Sequence, residues 1–199
     1  LPPGTTLAQT PEPRGTPALT QAPRAMGEYD GIVFVVGSGS EVTFTVREKL
    51  VKLALPNNAV LRTTALAGEI SLDGGVSVVT LDLHTLSSDQ TFRDRYVRRT
   101  MFPQHRFATL TIGNVLPLPD GLAAGDEVEA RVAGSLHVKG ADVPVAFDIV
   151  ARDDGDELFI LARTVVTWDQ LQLPVPTARA VTSVEDDINI EVLLAVRSR

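Results

Sequence analysis

Apolar and polar residues alternate in short runs along the chain from residue 28 onward. In the run EVTFTVR at 41–47, Val42, Phe44 and Val46 lie on one face and polar side chains on the other. Similar β-rich runs occur at 31–36, 65–72, 74–83, 108–112, 127–138, 143–151, 157–168 and 188–196. Glycine, asparagine, aspartate and proline separate the runs, as is typical of turns. About nine strands at this spacing predict an all-β antiparallel barrel or sandwich.

Helix signals are few and concentrate in one stretch. Ser87, followed three residues later by Gln90, forms a capping-box pattern. Phe92 and Tyr96 then stand four residues apart, which places them on one helical face. Because Pro103 cannot continue a helix, the pattern predicts one short helix between two strands.

Two other segments depart from the strand pattern. Residues 1–27 hold six of the thirteen prolines and five threonines, which predicts an extended linker or tail. This segment is either a disordered tail without a function or a spacer that holds a domain away from a membrane or cell wall. KLVKLAL at 49–55 predicts a second helical or irregular excursion. Residues 28–199 are then expected to form a single domain, a size that suits one core.

The chain begins with Leu1, so its N-terminus is interpreted as truncated or processed. A removed signal or anchor would make the protein secreted, periplasmic or tethered at the cell surface. No run reaches the roughly 18 apolar residues of a membrane-spanning helix. We therefore expect any membrane tether to act through the removed N-terminal segment.

Composition narrows the classes of function. The formal net charge is −7, and an acidic balance argues against broad nucleic-acid binding, which needs surplus lysine and arginine. Hydrophobic residues make up 44% of the chain, enough for a sizeable core. The chain has no cysteine, which excludes disulfides, zinc–thiolate sites and cysteine nucleophiles.

No catalytic or metal-binding constellation stands out. VGSGSEV lacks the glycine spacing of a nucleophile elbow around Ser38 or Ser40. His84, His105 and His137 are far apart and show no metal-ligand spacing. The sequence therefore predicts no catalytic residue, no metal site and no cofactor.

One basic stretch stands out in this acidic chain. TFRDRYVRRTMFPQHRF at 91–107 carries five arginines beside several aromatic residues. On a helix, Arg95, Arg98 and Arg99 form one basic edge, with Phe92 and Tyr96 nearer the buried side. The edge either faces an anionic head group, which guanidinium binds well, or is a solvated surface.

Five motifs in order resemble the YceI-like family of secreted, lipocalin-like lipid-binding proteins. They are SEVTFTVRE (40–48), LAGEISLDGG (66–75), LDLHTLSSDQTFRDRYVRRTMFPQHRF (81–107), GSLHVKGADVPVAFDI (134–149) and SVEDDINIEVLLAV (183–196). In the third motif, the residues that match the family pattern are Asp82, Arg93, Asp94, Phe102, Pro103 and Phe107. One element departs from it: VTWDQLQLPVP at 166–176 lacks the family's glycine, so we expect the following loop to shape the barrel mouth differently.

The resemblance implies an eight-stranded antiparallel, lipocalin-like barrel over residues 28–199, with one or two short helices. It further implies an apolar interior that holds an isoprenoid or other long-chain lipid, without enzymatic activity. The predicted ligand-binding residues are Phe34, Phe44, Val46, Leu66, Ile70, Phe92, Arg93, Arg95, Tyr96, Phe107 and Trp168. A homodimer is a further expectation.

Two other functions remain open at this point. A barrel with a filled core would act as an extracytoplasmic interaction or stress-response module without lipid. The third hypothesis is an enzyme that acts on a lipid-like substrate. For any single inward-facing Phe, Leu or Val, ordinary core filling is the simpler explanation.

Overall fold

A computed structural model describes residues 29–199, so the segment predicted at 1–27 lies outside the described residues. Ten antiparallel strands account for most of the described chain. They are β1 (Val33–Val36), β2 (Glu41–Leu50), β3 (Asn57–Thr63), β4 (Leu66–Ser71), β5 (Ser77–Asp82), β6 (Phe107–Ile112), β7 (Val128–Val138), β8 (Ala141–Asp153), β9 (Leu158–Thr167) and β10 (Val181–Ser198). The predicted all-β class is confirmed.

Eight of these strands close a barrel in the order β1-β4-β5-β6-β7-β8-β9-β10, and β10 pairs back onto β1. The long β10 serves two partners, since Val196 lies opposite Val36 of β1 while Val192 lies opposite Val42 of β2. Strands β1 and β2 are thus successive pieces along β10, and β3 continues the sheet beside β2. The predicted eight-stranded antiparallel barrel is confirmed.

The sequence pattern missed one strand, β3. Strand β3 begins with Asn57 and Asn58, which are turn residues by propensity, yet they pair with Glu48 and Arg47 of β2. Of the two alternatives for KLVKLAL, the structure agrees with the irregular one: β2 continues to Leu50, and an exposed irregular loop follows at 51–56. Cross-strand pairing overrides local propensity here, because a hairpin satisfies the backbone groups of both strands.

The up-and-down order of the strands places most of the connections in two groups at opposite ends of the barrel. We call one the helix end, formed by the segments 51–56, 83–106, 139–140 and 168–180. We call the other the loop end, formed by the segments 72–76, 113–127 and 154–157.

The segment 83–106 at the helix end contains the predicted short helix, α1 (Thr91–Tyr96). A 3-10 turn precedes α1 at Leu83–Thr85, and a π-helical turn follows it at Val97–Met101. The capping-box prediction is wrong: Gln90 is the N-cap residue and makes no side-chain capping bond.

Asp94 organises the start of α1 in place of the predicted capping box. Its carboxylate accepts a hydrogen bond from the Ser88 hydroxyl at 2.7 Å and another from the Ser88 amide at 2.9 Å. The amide of Ser87 is engaged elsewhere, since it donates to the carbonyl of Arg62 on β3 at 3.0 Å. Ser87 therefore ties the segment to the sheet rather than capping the helix.

Packed side chains fill the barrel interior next to the helix end. Val97, Met101 and Phe102 from the segment 83–106 are buried there in the same core as Val42 and Val46 of β2. The loop that lacks the family glycine also packs inward. Its Trp168, Leu171 and Leu173 are buried, and the Trp168 indole N–H donates to the carbonyl of Glu185 at 3.0 Å.

Gly68 allows β4 and β5 to approach closely. A Cβ atom at this position would lie 2.1 Å from the Val78 carbonyl oxygen, and the φ angle of Gly68 is +156°. We expect Gly68→Ala to lower the free energy of unfolding by about 2 kcal/mol or more, because backbone atoms must move to relieve the overlap. Urea denaturation measures this loss.

Gly113→Ala is the matched control for this substitution. A Cβ atom at Gly113 would meet nothing within 4 Å, so we expect stability to be unchanged or slightly raised. Equal stability of the Gly68→Ala and Gly113→Ala variants would contradict a steric role for Gly68.

Candidate functional site

A cavity of about 110 Å³ lies inside the half of the barrel next to the loop end. Side chains from seven strands, from the loop 113–127 and from Leu72 in the segment 72–76 surround it. They are Ile70, Leu72, Ser77, Val79, Leu110, Ile112, Val115, Leu118, Pro119, Leu122, Val128, Ala130, Val132, Phe147, Ile149, Ala151, Leu158, Ile160, Ala162, Val192 and Leu194. The alternating inward positions of the strands therefore form the walls, and the loop 113–127 forms one end.

The lining of this inner cavity is apolar except for Ser77. The Ser77 hydroxyl is already engaged, since it accepts from the Ser71 amide at 3.0 Å and donates to the Ser71 carbonyl at 3.4 Å. A cavity with no free polar group favours hydrocarbon over water, because water needs two or more polar partners. The site can therefore hold an apolar group and orient it only by shape.

The size of the inner cavity limits what it holds without adjustment. An engineered apolar cavity of about 150 Å³ binds benzene. The present volume of about 110 Å³ therefore suits a short hydrocarbon segment. A longer chain requires the lining side chains to move or the chain to extend past the loop 113–127.

Exposed carboxylates surround the loop end. Asp30, Asp120, Asp126 and Asp156 are exposed there. The three nearby arginines are each paired with a carboxylate: Arg152 with Asp154 at 3.4 Å, Arg197 with Glu157 at 2.6 Å and Arg199 with Glu69 at 2.9 Å. A ligand that projects past the loop 113–127 therefore meets a predominantly negative surface.

The predicted ligand-binding residues on the strands fall at different depths of the barrel. Ile70 lines the inner cavity, and Phe34 lies opposite it in the β1–β4 register, 1% exposed. Leu66 and Phe44 are partly buried against the core, while Val46 is buried in it. Trp168 is also buried at the helix end. None of these except Ile70 contributes to the cavity lining, and their binding roles stay predictions.

The predicted residues of the arginine stretch lie at the helix end, away from the inner cavity. Phe92 is 76% exposed, so its predicted position on the buried side is wrong, whereas Tyr96 packs against the core. Phe107 is half exposed under the Arg106 guanidinium, 5.2 Å from its ring centre. Arg95 is exposed and stacks over Phe92 at 5.5 Å.

Two of the five arginines in this stretch anchor the segment 83–106 to the barrel. Arg93 binds Glu48 of β2 at 2.6 Å and Asp89 at 2.7 Å. Arg106 binds one oxygen of Asp82, with 2.9 Å from Nε and 2.6 Å from Nη2. Their partners Glu48 and Asp82 are buried, so both pairs have a structural role.

The hydrogen bonds from Arg106 lower the pKa of Asp82, and the His84 amide, which donates to it at 3.0 Å, adds to this effect. A carboxyl whose folded-state pKa is lowered stabilises the fold above its unfolded-state pKa, and this contribution is lost as pH falls. We expect the free energy of unfolding to decrease below about pH 4, where aspartate titrates in the unfolded chain. Acid titration followed by fluorescence or circular dichroism measures this decrease.

Asp82→Asn tests the contribution of this carboxyl. The variant should be less stable at neutral pH and should show a shallower loss of stability in acid. Arg106→Gln should reproduce the shallower loss, because it removes the partner that lowers the pKa of Asp82. Acid profiles of both variants parallel to the native profile would rule out this linkage.

A larger groove of about 680 Å³ lies on the outside of the barrel. Strands β8 and β9 pair only between Asp148↔Arg163 and Asp153↔Leu158, so their ends toward the helix end are not paired with each other. Residues from β2, β7, β8, β9 and β10 surround this outer groove, together with Gln170. Its charges are mutually neutralised, since Arg131 pairs with Asp148 at 2.7 Å and Arg163 pairs with Glu191 at 2.8 Å.

Among residues 29–199, no three His, Asp or Glu side chains converge as a metal site would require. His84 instead contacts the Phe102 carbonyl through Nε2 at 2.7 Å. The described part of the chain also contains no helix with the length and apolar character of a membrane span.

Sequence reasoning missed most of the cavity lining. The alternation in 127–138 places Ala130 and Val132 on one face, so the sequence is sufficient to predict which positions point inward. The pattern carries no signal for which inward side chains border a cavity, because that depends on how residues from seven strands pack together.

The comparisons with known proteins agree with the barrel geometry. The model of the YceI-like domain family matches residues 35–196. A polyisoprenoid binding domain from Saccharophagus degradans, implicated in plant cell wall breakdown, superimposes with a TM-score of 0.67 at 15% identity. The match covers 84% of this chain and 98% of that one.

A second solved structure is similar to a comparable extent. BcnA from Burkholderia cenocepacia superimposes with a TM-score of 0.61 at 15% identity, and the match covers 80% of this chain and 98% of that one. At this level of identity, the two structures show a common fold. No curated protein sequence matches the chain.

Proposed function

This chain belongs to the YceI-like family, and on that premise we propose that it binds a hydrophobic chain inside its barrel. The ligand class is a polyisoprenoid or a similar amphiphilic lipid. The observation that carries the proposal is the inner cavity, whose lining offers hydrocarbon surface and no free polar group. The similarity to a polyisoprenoid binding domain supports the same ligand class.

Apolar burial supplies the binding energy. Each buried methylene contributes roughly 0.8 kcal/mol, so a five-carbon isoprene unit contributes about 4 kcal/mol. That corresponds to a dissociation constant of about 1 mM. Tight binding therefore requires more than one unit, and we propose that the loop 113–127 yields to admit the rest of the chain.

The charges at the loop end favour a particular head group. A chain whose tail occupies the inner cavity and whose head leaves by the loop end would place that head near Asp120 and Asp126. An uncharged head fits this surface better than a phosphate, because like charges repel. The alternative expectation, an anionic head at Arg93 or Arg95, would require the chain to pass through the packed helix end.

We propose that binding proceeds without chemical change to the ligand. The lining contains no acid, base or nucleophile apart from the Ser77 hydroxyl, which is bonded to the Ser71 backbone. General acid–base or nucleophilic catalysis requires an activating group beside the reacting atom. Storage or transport of the lipid is the role that this lining supports.

The proposed function is tested by extraction and titration. Mass spectrometry of organic extracts of the purified protein should detect a long-chain lipid. A delipidated sample should then bind a fluorescent prenol saturably and bind the matching prenyl phosphate more weakly. Absence of lipid from the extract together with no saturable uptake of either chain would overturn the proposal.

A second candidate, a lipid-free interaction module, is favoured by the filled helix end and by the outer groove. The groove of about 680 Å³ exceeds the inner cavity and carries backbone of β8 and β9 that is not paired between the two strands. Such unpaired strand edges accept an extended peptide. A folded protein that takes up no chain in the titration above would favour this candidate.

A further inference from the structure

Large apolar side chains are exposed on two segments of the helix end. In the loop 51–56, Val51 is 64% exposed, Leu53 47% and Leu55 76%. On α1, Phe92 is 76% exposed. Exposed apolar side chains are individually ordinary, but several at one end of a barrel indicate a contact surface.

Basic side chains accompany these apolar residues. Lys49 and Lys52 flank the loop tip, and Arg95, Arg98 and Arg99 lie on α1 and the π-helical turn, all exposed. Within residues 29–199, no carboxylate lies in ion-pair contact with any of these five side chains. Their charge is therefore available to an external anion.

Direct contacts hold α1 and the loop 51–56 in place at the helix end. Arg93 on α1 binds Glu48, the residue before Lys49, at 2.6 Å. The Val51 amide donates to the Ala180 carbonyl at 3.0 Å, which ties the loop 51–56 to the neighbouring connection at the helix end. The same Arg93 also binds Asp89 at 2.7 Å, so the exposed basic edge consists of Arg95, Arg98 and Arg99.

The distribution of charge identifies the kind of partner. The protein has a formal net charge of −7, yet these five cations lie at the helix end without an ion-pair partner among the described residues. The exposed arginines near the loop end, Arg152, Arg197 and Arg199, are each paired with a carboxylate. A polarised molecule of this kind orients with its basic end toward an anionic surface. Apolar side chains among cations match a lipid interface, where hydrocarbon enters below the head groups and lysine and arginine bind the phosphates.

We propose that the helix end docks on an anionic lipid bilayer, with Leu53, Leu55 and Phe92 inserted and Lys49, Lys52, Arg95, Arg98 and Arg99 on the head groups. Docking in this orientation leaves the loop end and the inner cavity facing water. The proposal rests on the outer surface of the barrel and is independent of whether the interior takes up a lipid chain.

The test is co-sedimentation of the full chain with vesicles of phosphatidylcholine, with and without about a third phosphatidylglycerol. We expect binding to the anionic vesicles that weakens as salt is raised, because screening shortens the reach of surface charges. The triple variant Arg95→Glu, Arg98→Glu, Arg99→Glu should bind at least about tenfold more weakly, since each surface cation contributes substantially to binding.

A control with the same change in net charge is available at the opposite end. Arg152→Glu, Arg197→Glu and Arg199→Glu reverse three exposed arginines near the loop end. This variant should bind within about twofold of the native chain, since its helix end is intact and surface ion pairs contribute little to stability. If the two triple variants lose vesicle binding equally, the loss is due to net charge alone, and the proposal is overturned.

The insertion of apolar side chains into the bilayer is tested separately. Leu53→Ser with Leu55→Ser should reduce vesicle binding several-fold, whereas Val165→Ser on the outer face of β9, 54% exposed in the native chain, should not. Circular dichroism confirms that each variant is folded. The proposal of a lipid partner is overturned if the native chain does not bind anionic vesicles. It is also overturned if the chain binds a DNA duplex as tightly as it binds vesicles and the leucine substitutions do not weaken that binding.

Discussion

Ala130→Phe is expected to abolish uptake of a prenyl chain while the barrel remains folded. Ala130 lies on β7, faces the inner cavity and pairs with Ile149 on β8. A phenyl ring at this position would occupy most of the volume of about 110 Å³. We expect at least a tenfold loss of affinity for every chain, whatever its head group, because the ring displaces the ligand by volume.

Ala133→Phe is the matched control for this experiment. Ala133 lies three residues further along β7 and is exposed on the outer face, so the same substitution leaves the cavity unchanged. Both variants are compared by prenol titration and by thermal unfolding. If Ala130→Phe is folded and binds prenol as tightly as Ala133→Phe, the inner cavity is not the binding site.

The position of the cavity also changes the interpretation of Val46. The sequence predicted Val46 as a ligand-binding residue, since it lies on the apolar face of its strand. In the structure, Val46 is buried in the packed core and does not line the cavity. Overpacking at Val46 should therefore act first on stability.

Phe34→Ala is expected to lower the free energy of unfolding by about 3–5 kcal/mol, the range for removal of a buried phenyl ring. Phe34 is 1% exposed, and its ring centre lies 6.0 Å from that of Tyr29. Its strand, β1, closes the barrel between β10 and β4. Loss of the ring therefore weakens the closing contact of the sheet as well as the core.

Phe92→Ala separates core packing from surface exposure. Phe92 is 76% exposed, so its removal should change stability by less than about 0.5 kcal/mol. Urea denaturation of the two variants provides the comparison, and prenol titration in parallel tests their predicted binding roles. A Phe34→Ala variant with native stability and weakened prenol binding would make Phe34 a ligand contact instead of a core residue.

The arginine stretch shows why a basic cluster has no single role. Arg93 and Arg106 hold the segment 83–106 through buried carboxylates, whereas Arg95, Arg98 and Arg99 are exposed. The residue types are identical, and only their partners differ. Because Glu48 approaches from β2, 45 residues earlier in the chain, the structural role of Arg93 has no local signature.

The sequence by itself determined nine of the ten strands and, where apolar and polar residues alternate, their faces. A strand with one face in the core must alternate apolar and polar residues, and this local constraint is visible in β2 and β7. The order of five motifs likewise indicated the family, because each motif records a local turn or pairing such as the close approach at Gly68.

Only the tertiary structure decided which half of the barrel is filled and which way the segment 83–106 faces. Whether the barrel interior is filled depends on the total volume of the inward side chains, which come from separate strands and from Trp168, Leu171 and Leu173. No local sequence pattern determines this total volume. The six-residue helix α1 is too short for its apolar period to fix its rotation. Contacts distant in sequence, from Glu48 to Arg93 and from Asp82 to Arg106, set its orientation and leave Phe92 in water.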